Sequence, residues 1–227
     1  MKKDKYRVLL IDDHPIARDA YKDALNYIES SEKNVLFEIE EAGSCDEATD
    51  IVQYLLEKDR WIDVVFLDIS LPTSKDVKIV SGEDLGLWIS TKMPNIKIIV
   101  STAFNDNYRM YNIMKNLDPD GFLIKNDITS KELVEAIKVV INDPPYYSKT
   151  VLKLIRLEVS NEFVLDSIDR KLLYELSVGT MMKDIPDILH LSIAGIEKRK
   201  RKLKGIFNLE TSTNKELLEK AKEKGFL

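Results

Sequence analysis

With one cysteine in 227 residues, Cys45, the chain can form no internal disulfide, and a reducing cytoplasm is the expected home. Histidine is nearly as scarce, with His14 and His190 only, so a transition-metal site at His14 lacks a second imidazole or thiolate nearby. Long apolar runs are missing too. None approaches the ~20 residues of a membrane span. The basic opening Met1-Lys2-Lys3-Asp4-Lys5 leads into only Val8 to Ile11 before two aspartates intervene, too short a run for a secretory signal. With 8 glycines, 7 prolines and no repeat, no low-complexity tract is present. What remains is an ordinary soluble composition, long enough for two modest domains.

Charge is unevenly spread. Residues 1–142 carry 18 Lys/Arg against 26 Asp/Glu, while residues 143–227 carry 16 against 13. The excess of cations concentrates in Lys198-Arg199-Lys200-Arg201-Lys202. An acidic half joined to a part-basic half points to separate jobs.

The first half reads as strands alternating with helices. Tyr6 to Ile11, Val35 to Ile39, Trp61 to Asp68, Ile96 to Val100 and Gly121 to Ile124 are apolar or alternating runs of strand length, the third ending on an acid. Between them lie helical patterns. One starts near Pro15, with Ile16, Ala20, Ala24 and Ile28 on its buried side. Others start at Ser44-Cys45-Asp46-Glu47, near Gly82, near Asp106 and at Thr129-Ser130-Lys131-Glu132, two of these carrying the capping-box signature. Tyr108, Tyr111 and Met114 sit at a spacing that suits either a contact surface or core packing, with core expected for at least one of them. Five strands and five helices with short connections make an α/β fold, a flavodoxin-like doubly wound parallel sheet. Asn142-Asp143-Pro144-Pro145 breaks the pattern. A helix over Val151 to Val159 is expected next, and from Asp166 onward only short helices, an all-α helix-turn-helix texture. The resulting division is residues 1–142, a linker over 143–165, and residues 166–227.

Asp12, Asp13, Asp68, Thr102 and Lys125 all fall at the C-terminal ends of the expected parallel strands, the edge where such sheets bind ligands. Carboxylates packed together repel one another unless a cation neutralises them. Magnesium fits best, because it prefers hard oxygens and needs only one or two carboxylates plus a phosphate. A carboxylate beside it can attack phosphorus, while an ammonium and a hydroxyl stabilise the transferred oxygens. Each residue alone also has a plain structural reading, as turn former, cap or solvated strand end.

Asp12-Asp13-His14-Pro15, Leu67-Asp68-Ile69-Ser70-Leu71-Pro72, Ser101-Thr102-Ala103 and Gly121-Phe122-Leu123-Ile124-Lys125 together resemble the receiver domain of two-component response regulators. The resemblance implies Asp68 as phosphoacceptor and a histidine kinase as donor. It implies magnesium held by Asp13, Asp68, the Ser70 carbonyl and, through water, Asp12, with Thr102 and Phe122 as the switch pair. The chain departs from the family in two places. Extra residues separate Pro72 from Gly82, and Asn126 follows Lys125 where many receivers have proline, so a cis peptide is not expected there.

In Ser192 to Phe207 the apolar residues Ile193, Ile196, Leu203 and Ile206 or Phe207 fall on one face, which turns Glu197, Lys198, Arg201 and Lys204 outward. Such a helix suits a groove lined by phosphates. Asp166 to Leu227 resembles the LuxR-type (NarL/FixJ-like) output domain. The likeness implies a scaffold helix over about Met181 to Leu189, a recognition helix over Ser192 to Ile206 with Ser192 and Lys202 also near DNA, and a last helix for dimerisation. Pro186 inside the scaffold helix should kink it.

The expected function is a DNA-binding response regulator, dimeric when phosphorylated, rather than an enzyme. Two other classes stay open. One is a signalling adaptor independent of phosphorylation. The other is an aspartyl-phosphate phosphatase, disfavoured because Ser70 stands where such enzymes place a second carboxylate.

Overall fold

The computed structural model describes residues 4–32, 34–72, 79, 81–103, 106–160, 165–209 and 213–227. Strands β1 (Asp4–Ile11), β2 (Val35–Ala42), β3 (Val64–Leu67), β4 (Lys97–Thr102), β5 (Gly121–Ile124) and β6 (Tyr146–Tyr147) form one sheet in the order β2-β1-β3-β4-β5-β6. Every pairing is parallel. The strand order reverses between β1 and β3, and at such a switch point the strand ends open into a crevice. The expected flavodoxin-like sheet is therefore present, with one strand more than the five anticipated. Two residues are too few to show a periodicity in sequence, which is why β6 escaped notice. It forms because Tyr146 N–H donates to the Asp120 carbonyl and Ser148 N–H to the Phe122 carbonyl, both at 2.9 Å.

Helices α1 (Pro15–Ser31), α2 (Cys45–Glu57), α3 (Gly82–Lys92), α4 (Asn107–Leu117) and α5 (Ser130–Asn142) flank the sheet. In α1 the buried stripe is Tyr21, Ala24, Leu25 and Ile28, whereas Ile16 is 85% exposed. The expectation that Ile16 and Ala20 face the core is thus corrected: α1 is rotated so that a tyrosine enters the apolar side. In α4, Met110, Ile113 and Leu117 are buried and Tyr108, Tyr111 and Met114 half-buried. Caps agree with the sequence signals. Thr129 and Glu132 close a full capping box on α5. At α2 the Ser44 hydroxyl accepts from Glu47 N–H, but the Glu47 carboxylate reaches back to Gly43 N–H instead.

Helix α6 (Lys149–Ser160) follows β6, and then come α7 (Ser167–Ser177), α8 (Ile185–Leu189), α9 (Ile193–Ile206) and α10 (Asn214–Glu223). Two compact units result: residues 1–105 with 112–151, and residues 106–111 with 152–227. The second has its own core, including Leu172, Leu173, Ile185, Ile196, Leu203 and Phe226. Here Pro186 behaves differently from expectation. Helix α8 is only five residues long, Pro186 lies in its first turn, and no kink arises because a first-turn residue has no intrahelical N–H bond to lose. Among the described residues the cis peptide is Pro144-Pro145, so the bond after Lys125 is trans as anticipated. The extra residues after Pro72 fall largely on 73–78 and 80, which lie outside the described residues. Among the described residues no helix is long and apolar enough to cross a membrane.

Candidate functional site

β1 and β3 are neighbours, so their C-terminal ends deliver Asp12 and Asp68 side by side. Both are buried, at 0% and 2% exposure. Each carboxylate is pinned by the main chain two residues on: Asp12 Oδ1 accepts from His14 N–H at 3.0 Å and Asp68 Oδ1 from Ser70 N–H at 2.8 Å. Their other oxygens face one cation. Lys125 Nζ, delivered by the end of β5, is 2.7 Å from Asp12 Oδ2 and 2.7 Å from Asp68 Oδ2. Burial works against the lysine's charge, but hydrogen bonds to Asp12 and Asp68 outweigh it and hold its pKa above the ordinary value. Thr102, at the end of β4, is fully buried, and so is Phe122 in β5. A cleft of about 470 Å³ opens here, lined among others by His14, Tyr21, Asp68, Ser101 and Lys125.

The donor set suits a hard divalent cation. Asp12, Asp13, His14 and Asp68 each offer a ligand atom, and these atoms lie within 4.8 Å of one another. Asp13 Oδ1 is buried and accepts no hydrogen bond, an acceptor left for a cation. His14 Nδ1 lies 2.7 Å from it, and the imidazole itself is 68% exposed.

Three residues that sequence reasoning passed over support this pocket. The Tyr21 hydroxyl is 2.8 Å from Ser101 Oγ and donates to Asp12 Oδ2 at 3.2 Å, while its ring stacks on Phe66 at 4.8 Å. A tyrosine one turn before Ala24 and Leu25 was the available signal. Arg18 donates to the Asp12 carbonyl and pairs with Glu41 at 3.2 Å. Gly82 packs so closely on β3 that a Cβ there would collide with the Asp68 carbonyl oxygen and lie 2.7 Å from Ile69 Cα. So close a helix start has no local sequence signature beyond the glycine itself.

In the second unit, His190 in a left-handed conformation (φ 53°) turns the chain from α8 to α9. Ser192 caps α9 by accepting from Gly195 N–H at 3.1 Å. Ile196, Leu203 and Phe207 are buried as expected, but Ile193 is 58% exposed and leaves the apolar face. The cationic run is also less uniform than its sequence. Arg199 pairs with Asp166 at 2.9 Å and with buried Asp169 at 2.6 Å, Lys202 reaches Asp169 at 2.7 Å, and Lys200 is buried against Glu197 at 3.0 Å. Lys198 and Arg201 are exposed, whereas Glu197 and Lys204 are half-buried.

Residues 8–138 match the response regulator receiver domain family. Among curated proteins, the oxygen regulatory protein NreC of Staphylococcus epidermidis is 24% identical over 234 residues, spanning 97% of this chain and 99% of that protein. NreC of Staphylococcus aureus is 23% identical with the same coverage. Among solved structures, RcsB from Salmonella enterica serovar Typhimurium bound to promoter P1flhDC with the phosphomimetic BeF3− aligns over 96% of this chain and 98% of that one, with TM-score 0.64 and 22% identity. A structure of two RcsB dimers on two parallel DNAs aligns with TM-score 0.62 and 21% identity. These likenesses extend to the whole fold. With the family match covering more than half of the sequence, the chain belongs to the response regulator receiver domain family.

Proposed function

We propose that the protein is a DNA-binding response regulator whose output is controlled by phosphorylation of Asp68. The observation that carries this reading is the Lys125 ammonium bridging two buried carboxylates at 2.7 Å, because it puts a fixed positive charge where a phosphoryl group on Asp68 would need one. In the transfer, an Asp68 oxygen attacks phosphorus, the bond from phosphorus to the histidine kinase's imidazole nitrogen breaks, and the nitrogen keeps its electron pair. Asp13, Asp68 and the Ser70 carbonyl would hold magnesium, with Asp12 acting through water. Bound there, magnesium neutralises the carboxylates and the charge on the phosphoryl oxygens. Lys125 and the Thr102 hydroxyl bind those oxygens, and Thr102 with Phe122 carries the change outward. The protein accepts a phosphoryl group and at most hydrolyses it from itself.

Residues 1–142 form the receiver, 143–165 the linker and 166–227 the output domain. In the output domain α9 enters the major groove, and a dimer presents two such helices to two half-sites. Exposed Lys198 and Arg201 are the strongest candidates for phosphate contact, with Ser192, Glu197, Lys202 and Lys204 along the same helix. That RcsB is solved on DNA supports this reading. The cytoplasm is the compartment that fits a kinase partner and a DNA target.

The test is intact mass and oligomeric state of wild type and Asp68→Asn after incubation with acetyl phosphate and magnesium. A phosphoryl adduct on the wild type only, with a shift toward dimer, is expected. An adduct that survives the substitution, or none at all, overturns the assignment of Asp68.

A further inference from the structure

The three residues after β5 form a single 3-10 turn, Lys125–Asp127. Lys125 at its start contacts the acidic pocket. Asp127 at its end holds the start of α6. Asp127 Oδ2 accepts from Thr150 N–H at 2.6 Å, one of the first-turn N–H groups of α6 that have no partner within the helix. The buried Ser148 hydroxyl also bonds to Asp127 and accepts from Ile124 N–H at 3.2 Å, and Ser148 N–H donates to the Phe122 carbonyl. One residue further on, Lys149 pairs with Glu132 of α5 at 3.0 Å. The strand that bears Phe122, the turn that bears Lys125 and the first turn of α6 are therefore one hydrogen-bonded assembly. Burial acts against the charge of Asp127, but the Thr150 and Ser148 bonds, with Lys149 nearby, outweigh it and keep its carboxyl below the ordinary range. Helix α6 begins in the first compact unit and continues in the second.

We infer that Asp127 is a positioning residue that ties Lys125 to the N-terminus of α6, so that a change at Asp68 displaces the first turn of the helix leading into the output half. The inference rests on the proposed phosphorylation of Asp68 and names the covalent and hydrogen-bonded route by which its effect leaves the receiver. One residue separates Lys125 from Asp127 in this turn, so a shift of the Lys125 backbone is passed to Asp127. Asp127's grip on Thr150 N–H passes that movement to a rigid element. The coupling is a property of a two-state element that both ends bias, and it is measured as a ratio rather than as either affinity alone.

The experiment uses full-length wild type, Asp127→Ala and Asp127→Asn, each with acetyl phosphate and magnesium. Three quantities are read: the intact-mass adduct, the ratio of DNA affinities with and without phosphorylation for a fragment chosen by in vitro selection, and hydrogen exchange of the peptide spanning residues 146–155. In the wild type, phosphorylation should raise DNA affinity by about tenfold, a typical coupling, and change exchange at Thr150. Asp127→Ala should form the adduct as readily, yet its affinity ratio should fall to near one and its exchange change should vanish. Asp127→Asn keeps an acceptor for Thr150 N–H and should retain part of both effects. An Asp127→Ala protein that keeps the wild-type ratio and exchange change overturns the inference while leaving phosphorylation of Asp68 intact. A wild type that takes no adduct overturns the proposed function itself. A wild type that takes the adduct without any change in affinity or exchange removes the coupling the relay would carry.

Discussion

Lys125 and Asp68 are 2.7 Å apart although the strands that deliver them, β5 and β3, are separated by β4. The lysine side chain spans that gap, and Asp12 just past the end of β1 takes its other hydrogen bond. Lys125→Met would leave two buried carboxylates facing each other without a cation. Breaking such a pair costs roughly 3 kcal/mol. Urea unfolding should show that loss in the absence of divalent ions, and millimolar magnesium should recover much of it. The pH dependence has a definite sign. Because the folded pKa of Lys125 is raised, its contribution is complete below the ordinary value of 10.5 and is lost as pH climbs through the raised value. Wild type should lose stability across that alkaline window, and Lys125→Met should not share the loss.

Gly82→Ala tests how tightly α3 is held against the end of the strand that leads into Asp68. The added methyl would collide with the Asp68 carbonyl oxygen and lie 2.7 Å from Ile69 Cα, and backbone atoms cannot swing aside as a flexible side chain can. Helix α3 must shift, at a cost of about 1 to 3 kcal/mol. The shift moves the segment carrying Ser70, so adduct formation with acetyl phosphate should slow as the melting temperature falls. A variant as stable and as readily phosphorylated as the wild type would show that α3 is not registered on Asp68.

How much of this was legible in the sequence depends on whether the signal was local. The strand ends were readable, because an apolar run that stops at Asp12, Asp68, Thr102 or Lys125 states both the strand and what lies at its end. The caps at Ser44 and Thr129 were equally plain. Rotation was not. Ile16 looked like core at helical spacing, yet Tyr21 took the buried side because its hydroxyl could bond Asp12 and Ser101 while its ring lay on Phe66. The pairing of Arg199 and Lys202 with Asp169 was hidden for the same reason: those partners are 30 and 33 residues apart. Pro186 misled by context, since a proline marks a break in a long helix and a start in a short one.

Tyr21→Phe removes one hydroxyl and little else. Its hydrogen bonds to Ser101 and Asp12 are buried, so the loss should cost about 1 kcal/mol, read as a lower midpoint in urea at unchanged slope. Phosphorylation should persist, because Asp12 keeps its contacts with Lys125 and the His14 N–H.

Acid stability should report the capping box of α5. The Thr129 N–H bond, followed by the Lys149 ion pair, holds the Glu132 carboxyl down at about 2. A depressed carboxyl stabilises the fold above its ordinary value of 4.5, and that contribution disappears as pH falls toward the depressed value. Melting temperature measured across this window should fall more steeply for wild type than for Glu132→Gln. Parallel curves would mean that the box closes no more firmly in the folded chain than in the unfolded one.

Neighbouring cations of α9 should respond oppositely. Arg201 is exposed, and its guanidinium is available to a phosphate, whereas Lys202 is 2.7 Å from Asp169, an acid with no exposure of its own. Arg201→Ala should weaken binding to every DNA sequence and reduce the slope of log affinity against log salt by about 1, with little change in melting temperature. Lys202→Ala should leave that slope nearly unchanged, because the lysine's charge is already matched within the domain. Its melting temperature should fall, though only modestly, since Arg199 remains to pair with Asp169 at 2.6 Å. If instead Lys202→Ala lowers the salt slope as much as Arg201→Ala does, the lysine leaves Asp169 on binding and its pairing is a feature of the free protein alone.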